Sequence, residues 1–175
     1  MTTPQWPVAE LDDVRRMRVL AASIPGASYA EEHVDIPFER VWEFVGDLET
    51  SLPRLITDIR SFRILDRSGE HLTARAVGLL GNRGRFDVTL RPGWCLMQSR
   101  FVVGGMAAVP EGDGTRFAGC GGLRVPGSRL LMAAVGDRGA QRIVRRLRRY
   151  CAEDSGGSAD SGGSAGSAES TGSGG

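Results

Sequence analysis

Between residues 59 and 123 the chain is cut into strand-length pieces at nearly regular intervals, and this punctuation restricts the fold more than any other feature. The pieces are residues 59–66, 72–80, 84–91, 94–103, 106–109 and 115–123, each mixing apolar and polar side chains. Between them stand Ser68-Gly69, Asn82, Pro92-Gly93, Gly104-Gly105 and the run Glu111-Gly112-Asp113-Gly114, all chemically suited to tight turns. Strands joined by short turns pair with their sequence neighbours, so the expectation is an antiparallel meander.

Upstream, Ala30, Val34 and Ile36 fall on one face of a further strand, and Glu31, His33 and Asp35 fall on the other, with Glu32 as the polar exception on the inward side. Pro37 follows, suited to a first helical turn that needs no amide hydrogen. Phe38, Val41, Trp42 and Val45 then recur at the spacing of one helical face. Residues 48–56, with Pro53 among them, predict a second short helical piece or an irregular connection. From Ser128 to about Ala152 the pattern predicts a long helix, with Leu131, Val135, Ile143, Val144 and Leu147 on one face and Arg138, Arg142, Arg145, Arg146 and Arg149 on the other. The order is strand, two short helices, six strands and one long helix, an α+β arrangement.

At 175 residues with 41% apolar content the chain is long enough for one domain with a real core. A formal net charge of +1 excludes the strong basic excess that would point to nucleic acid. Every basic side chain is arginine. Cys95, Cys120 and Cys151 form no CxxC pair and leave one thiol over in any disulfide scheme, and residues 1–20 lack the apolar run of a signal peptide or membrane span, so the expected location is cytoplasmic. Residues 1–27 form a lead in which Val8, Leu11, Val14 and the group from Met17 to Leu20 permit a short amphipathic helix ending before Pro25-Gly26. Residues 154–175 are almost entirely Ser, Gly, Ala and acidic, the composition of a disordered tail.

The segment HVDIPFERVWEFVGDLE at residues 33–49, the GDGTRF hairpin at residues 112–117 and the long terminal helix after Val125-Pro126-Gly127 resemble the SRPBCC helix-grip superfamily. That superfamily includes the Bet v 1 allergen fold, START lipid-transfer domains and the polyketide cyclase/dehydrase and coenzyme Q-binding groups. The resemblance covers residues 28–153. It implies a curved seven-stranded antiparallel sheet wrapped around the long C-terminal helix, with two short helices after the first strand and an apolar cavity between sheet and helix.

If the apolar parity of each strand faces that cavity, its lining includes Glu32, Val34, Phe62, Ala76, Phe86, Val88, Met97, Ser99, Phe101 and Phe117, joined from the long helix by Met132, Gly136, Gly139 and Ile143. Glu32 is the candidate ligand-orienting carboxylate or general base, and Ser99 a weaker polar contact. No catalytic residue is assigned. His33 and His71 lie on different elements, His33 on the polar parity of its strand and His71 near a turn, so neither a metal site nor a Ser-His-Asp or Cys-His site is expected, and no cofactor is implied. The expectation is non-catalytic binding or transport of a hydrophobic small molecule such as a lipid, quinone or polyketide. A polyketide cyclase/aromatase using the same cavity is the alternative, and Arg75, Arg85 and Arg100 would favour it if they faced inward. Nucleic acid is not an expected partner, and the helix arginines leave transient membrane contact open.

Overall fold

The computed structural model describes residues 10–124 and 138–156. The elements run α1 (Asp13–Ser23), β1 (Ser28–Val34), α2 (Phe38–Gly46), α3 (Leu48–Leu55), β2 (Ile59–Ser68), β3 (His71–Gly78), β4 (Arg83–Arg91), β5 (Trp94–Gln98), β6 (Val102–Glu111), β7 (Gly114–Leu123) and α4 (Arg138–Gly156). One curved seven-stranded sheet holds the strands in the order β1-β7-β6-β5-β4-β3-β2, with every pair antiparallel. β2 to β7 form the expected meander. β1 and β2 are consecutive in sequence yet occupy opposite edges, so α2 and α3 carry the chain from one edge to the other.

Local chemistry fixes these boundaries. Asp47 follows α2 and caps α3, its carboxylate accepting the Thr50 amide hydrogen at 3.4 Å. Pro53 stays inside α3, so residues 48–55 are a true helix rather than an irregular connection. β2 is bulged between Ile64 and Asp66, and there the Ile64 N–H donates to the Glu49 carboxylate of α3 at 2.7 Å. The β4–β5 turn places Gly93 at φ +78°, where a Cβ would stand 2.8 Å from the Ala108 carbonyl oxygen. Both the backbone conformation and the space therefore require glycine.

The sheet has a different hydrophobic cluster on each face. The larger lies on the inner face, under α2, α3 and α4, and contains Val34, Leu52, Phe62, Val88, Met97, Phe117, Val144 and Leu147. The smaller lies on the outer face, where Val14, Met17 and Ala21 of α1 pack on Ala107, Ala118 and Cys120. α1 thus covers β1, β7 and β6.

Three details differ from the sequence pattern. Gly104-Gly105 is no break; both glycines lie inside β6, and a Cβ on Gly105 would meet Met17 Sδ at 2.7 Å and Cys120 Sγ at 3.2 Å. Gly105 is small because α1 docks there, whereas Gly104 faces the other side of the sheet, where a Cβ would stand 3.6 Å from the end of Met97. The turn falls earlier, at residues 99–101, so the single strand expected over residues 94–103 is two strands with a hairpin between them. Leu79 and Leu80, expected to end β3, lie in the turn beyond it, and Leu80 is 97% exposed.

Candidate functional site

The inner face gathers most of the side chains expected to line a cavity. Val34, Phe62, Ala76, Val88, Met97 and Phe117 are buried in one cluster, and Phe86 and Ile143 are partly buried against it. The strand pairing explains how they meet: Phe62 stands opposite Ala76, and Val88 opposite Met97, so alternate residues of four adjacent strands project to the same side. Phe62 and Phe86 approach at 6.2 Å between ring centroids in a tilted arrangement. α4 closes the other end of the face, where a Cβ on Gly119 would lie 3.8 Å from Ile143 Cγ2. The helix therefore packs against β7 there.

Glu32 projects on the same parity as Ala30 and Val34, and its carboxylate stands 3.9 Å from Arg148 of α4 at a half-exposed position. Arg148 also donates to the His33 carbonyl at 2.9 Å, which anchors the helix to β1. The only polar side chain of the expected lining to meet α4 is therefore at the rim rather than in the centre. Gly139 lies at the start of α4, with the Ser28 hydroxyl 3.9 Å from where its Cβ would be.

Two expected lining residues stand elsewhere. Ser99 and Phe101 belong to the β5–β6 turn, where the Ser99 hydroxyl accepts the Val102 N–H at 3.0 Å and Phe101 is 52% exposed beneath the Arg100 guanidinium. The parity argument fails for them because the strand that would carry it stops at Gln98. Met132 and Gly136, with Leu131 and Val135, lie outside the described residues, as do the first nine residues and those after 156.

The polar groups buried inside are already engaged. Thr115 donates to the Ile36 carbonyl at 2.7 Å, Ser51 to the Val45 carbonyl at 3.2 Å and Ser28 to the Gly121 carbonyl at 3.2 Å. Burial pushes the Cys95 thiol up to about 12 and the Cys120 thiol to about 11, so neither is a thiolate nucleophile at neutral pH. His33 and His71 are exposed. Among the described residues no group of three or more His, Cys, Asp or Glu side chains is placed to hold a metal ion. Arg75 and Arg85 stand directly opposite each other on the outer face, and Arg100 is exposed in the turn. None of the three adds charge to the inner face. The Glu32–Arg148 pair has no signal in the sequence pattern, because Arg148 lies off the arginine face expected for the helix.

A single sheet closed by a long helix, with two short helices between its edge strands, is a recognisable architecture. This is the helix-grip fold. Residues spanning 74% of the chain superpose on 99% of a protein from Thermus thermophilus, at TM-score 0.57 and 21% identity. The Zhui aromatase/cyclase of a Streptomyces species matches over 79% of this chain and 98% of its own, at TM-score 0.59 and 15% identity. A START superfamily protein from Mycobacterium smegmatis matches over 73% and 97%, at TM-score 0.54 and 16% identity. Neither a protein-family model nor a curated protein matches the sequence. The helix-grip neighbours therefore share the scaffold, which by itself does not carry an activity.

Proposed function

We propose that the inner face of the sheet and α4 hold a hydrophobic small molecule, a lipid, quinone or polyketide-like compound, without catalysing its conversion. The observation that carries this reading is the chemistry of that face: its lining is apolar from Val34 through Phe117, and the buried hydroxyls are bonded to backbone carbonyls. Such a surface attracts a ligand by removing apolar area from water, and among the described residues its buried part offers no free general base to move a proton. Residues 28–153 are the unit that does this, and Glu32 with Arg148 orients the ligand's polar end at the rim. Buried free thiols at Cys95 and Cys120 fit a cytoplasmic setting. Among the described residues no helix is long and apolar enough to cross a membrane.

The alternative is a polyketide cyclase/aromatase, favoured by the shared fold of the Zhui aromatase/cyclase. The outward placement of Arg75 and Arg85 weighs against it, since a cyclase needs polar groups where the ligand folds.

Native mass spectrometry of the purified protein, followed by organic extraction, tests the carrier. A stoichiometric apolar compound is expected, and Ala76→Leu, which adds volume to the lining at a folding cost of about 1–3 kcal/mol, is expected to expel it. An empty protein that also ignores a panel of lipids, quinones and aromatic polyketides would refute the carrier. Turnover of a linear polyketide by wild type would establish the enzyme instead.

A further inference from the structure

The outer face carries a second candidate site that is independent of the inner one. β5 ends at Gln98, opposite Asp87, so residues 83–86 of β4 run on with β3 as their only strand partner. The shortened strand leaves a notch between the β4 overhang, the β5–β6 turn and the end of β7. It is an open cavity of about 420 Å³ lined by Arg85, Asp87, Gln98, Ser99, Arg100 and Arg124. That volume lies within the range of roughly 300–1,000 Å³ common among small-molecule sites.

Charge converges on this notch from separate elements. Arg85 comes from β4, Arg100 from the turn and Arg124 from the residue after β7. Each is held in a way that leaves its charge unneutralised. Arg124 donates to the Gln98 side-chain oxygen at 2.8 Å, a neutral acceptor that fixes its direction, and its main-chain N–H donates to the Phe101 carbonyl at 2.7 Å. Arg100 lies 5.2 Å from the centroid of the Phe101 ring. Arg85 stands opposite Arg75, which in turn stands opposite Arg63, so three guanidinium-bearing residues occupy neighbouring positions on three strands. Like charges placed directly across a sheet destabilise it. Among the described residues no carboxylate lies within ion-pair distance of Arg75, Arg85, Arg100 or Arg124. Among the described residues Asp87 is the single acid of the lining and has no ion-pair partner either.

We infer that this notch binds a phosphate-bearing ligand. Three guanidinium groups directed to one opening suit a tetrahedral dianion, whose oxygens each accept from a planar donor fork, better than they suit a lone carboxylate. Asp87 is left to accept from a hydroxyl of the same molecule. The phosphate belongs either to a soluble compound or to a phospholipid headgroup. The second source is open because Phe101, beside Arg100, and Leu80, in the β3–β4 turn at the same end of the sheet, present exposed apolar side chains.

Calorimetric titration of the full chain with inorganic pyrophosphate at low salt tests the site, together with co-sedimentation on phosphatidylglycerol vesicles and on phosphatidylcholine vesicles. Saturable pyrophosphate binding is expected, weakened about tenfold in each of Arg85→Gln, Arg100→Gln and Arg124→Gln, as loss of one charge-assisted contact implies, and unchanged in Arg67→Gln. Thermal melts of the unliganded variants that match wild type show that all four fold. Pyrophosphate binding without vesicle uptake assigns a soluble ligand. Uptake by anionic vesicles that the three variants abolish and Arg67→Gln does not assigns the headgroup, with or without pyrophosphate binding. The proposal is overturned if neither probe binds, or if Arg67→Gln weakens binding as much as the notch variants do.

Discussion

The two halves of the outer sheet face both carry arginines and use them in opposite ways. On β1, β6 and β7 the outward positions are small, such as Gly105, Ala107 and Ala118, and α1 lies over them with Met17 fully buried. The arginines around α1, including Arg91 at the far end of β4, all meet carboxylates. Arg91 grips Asp13 with both terminal nitrogens at 2.6 and 2.8 Å, Arg116 reaches Asp12 at 2.8 Å, and Arg18 reaches Glu31 at 2.6 Å. Across β3 and β4 the outward positions include Arg75, Arg83, Arg85 and Asp87, and all four are exposed. A helix laid on a sheet demands short side chains beneath it and charge partners around it. The bare half has neither constraint, so its charges stay free to meet solvent or a ligand.

The largest effect is expected under α1. Met17→Ala removes a fully buried side chain from a cluster shared by helix and sheet, and should destabilise the fold by about 2–5 kcal/mol, read as a fall in urea midpoint with an unchanged slope. A change below about 0.5 kcal/mol, the size expected for exposed positions on the bare half, would mean that α1 contributes little to the core.

A smaller effect should come from acid. Burial alone would raise the Asp12 carboxyl, but the Arg15 amide and the Arg116 and Arg15 charges outweigh it and hold it below its ordinary value. The hydrogen bond from Arg18 lowers Glu31, against burial, with the Tyr29 hydroxyl also donating to it. A carboxyl lowered in this way adds stability that is complete above its unfolded value and fades as pH falls through its folded one. The clasp should therefore be intact at pH 7 and weaken progressively below the ordinary values of 4.5 for Glu31 and 3.8 for Asp12. The loss for these part-exposed carboxylates is on the order of 1 kcal/mol. In Asp12→Asn/Glu31→Gln, denaturation midpoints measured from pH 7 to pH 3 should lose that part of the slope. A variant whose acid profile overlays wild type would assign the acid sensitivity elsewhere.

The covered half was less legible in the sequence than the strands themselves. Alternating residues and turn chemistry at Ser68-Gly69, Pro92-Gly93 and residues 111–114 were enough to find the meander, because each hairpin is a local event. They also found the inner face from Val34 to Phe117. Gly104-Gly105 misled because glycine serves a turn and a close helix contact equally well, and only the position of Met17, 88 residues upstream of Gly105, tells them apart. Displacing that turn to residues 99–101 took Ser99 and Phe101 off the inner face. The arginine row was harder still: Arg63, Arg75 and Arg85 become neighbours only once two hairpin registers and a bulge are known, and a one-residue slip would scatter them over both faces. Folding β3 and β4 about the turn before Asn82 would have been enough to pair Arg75 with Arg85.

The smallest effect separates the two halves by sign. On the bare half, removing an arginine removes repulsion rather than a partner, because Arg75 lies between Arg63 and Arg85 and only Arg63 has an acid, Glu49 at 3.3 Å. Arg75→Ser should therefore leave stability unchanged or raise it by up to about 0.5 kcal/mol. Any gain must be largest at low ionic strength and vanish near 1 M salt, where the screening length falls to about 3 Å. The same removal on the covered half, Arg116→Ser, takes from the α1 cap Asp12 its 2.8 Å ion-pair partner, leaving it only Arg15, and should cost stability at every salt concentration, though less as salt rises. If Arg75→Ser instead destabilises the protein, and does so equally at low and high salt, its aliphatic stem is packing on the sheet and the bare half is not the unpartnered surface that its charges suggest.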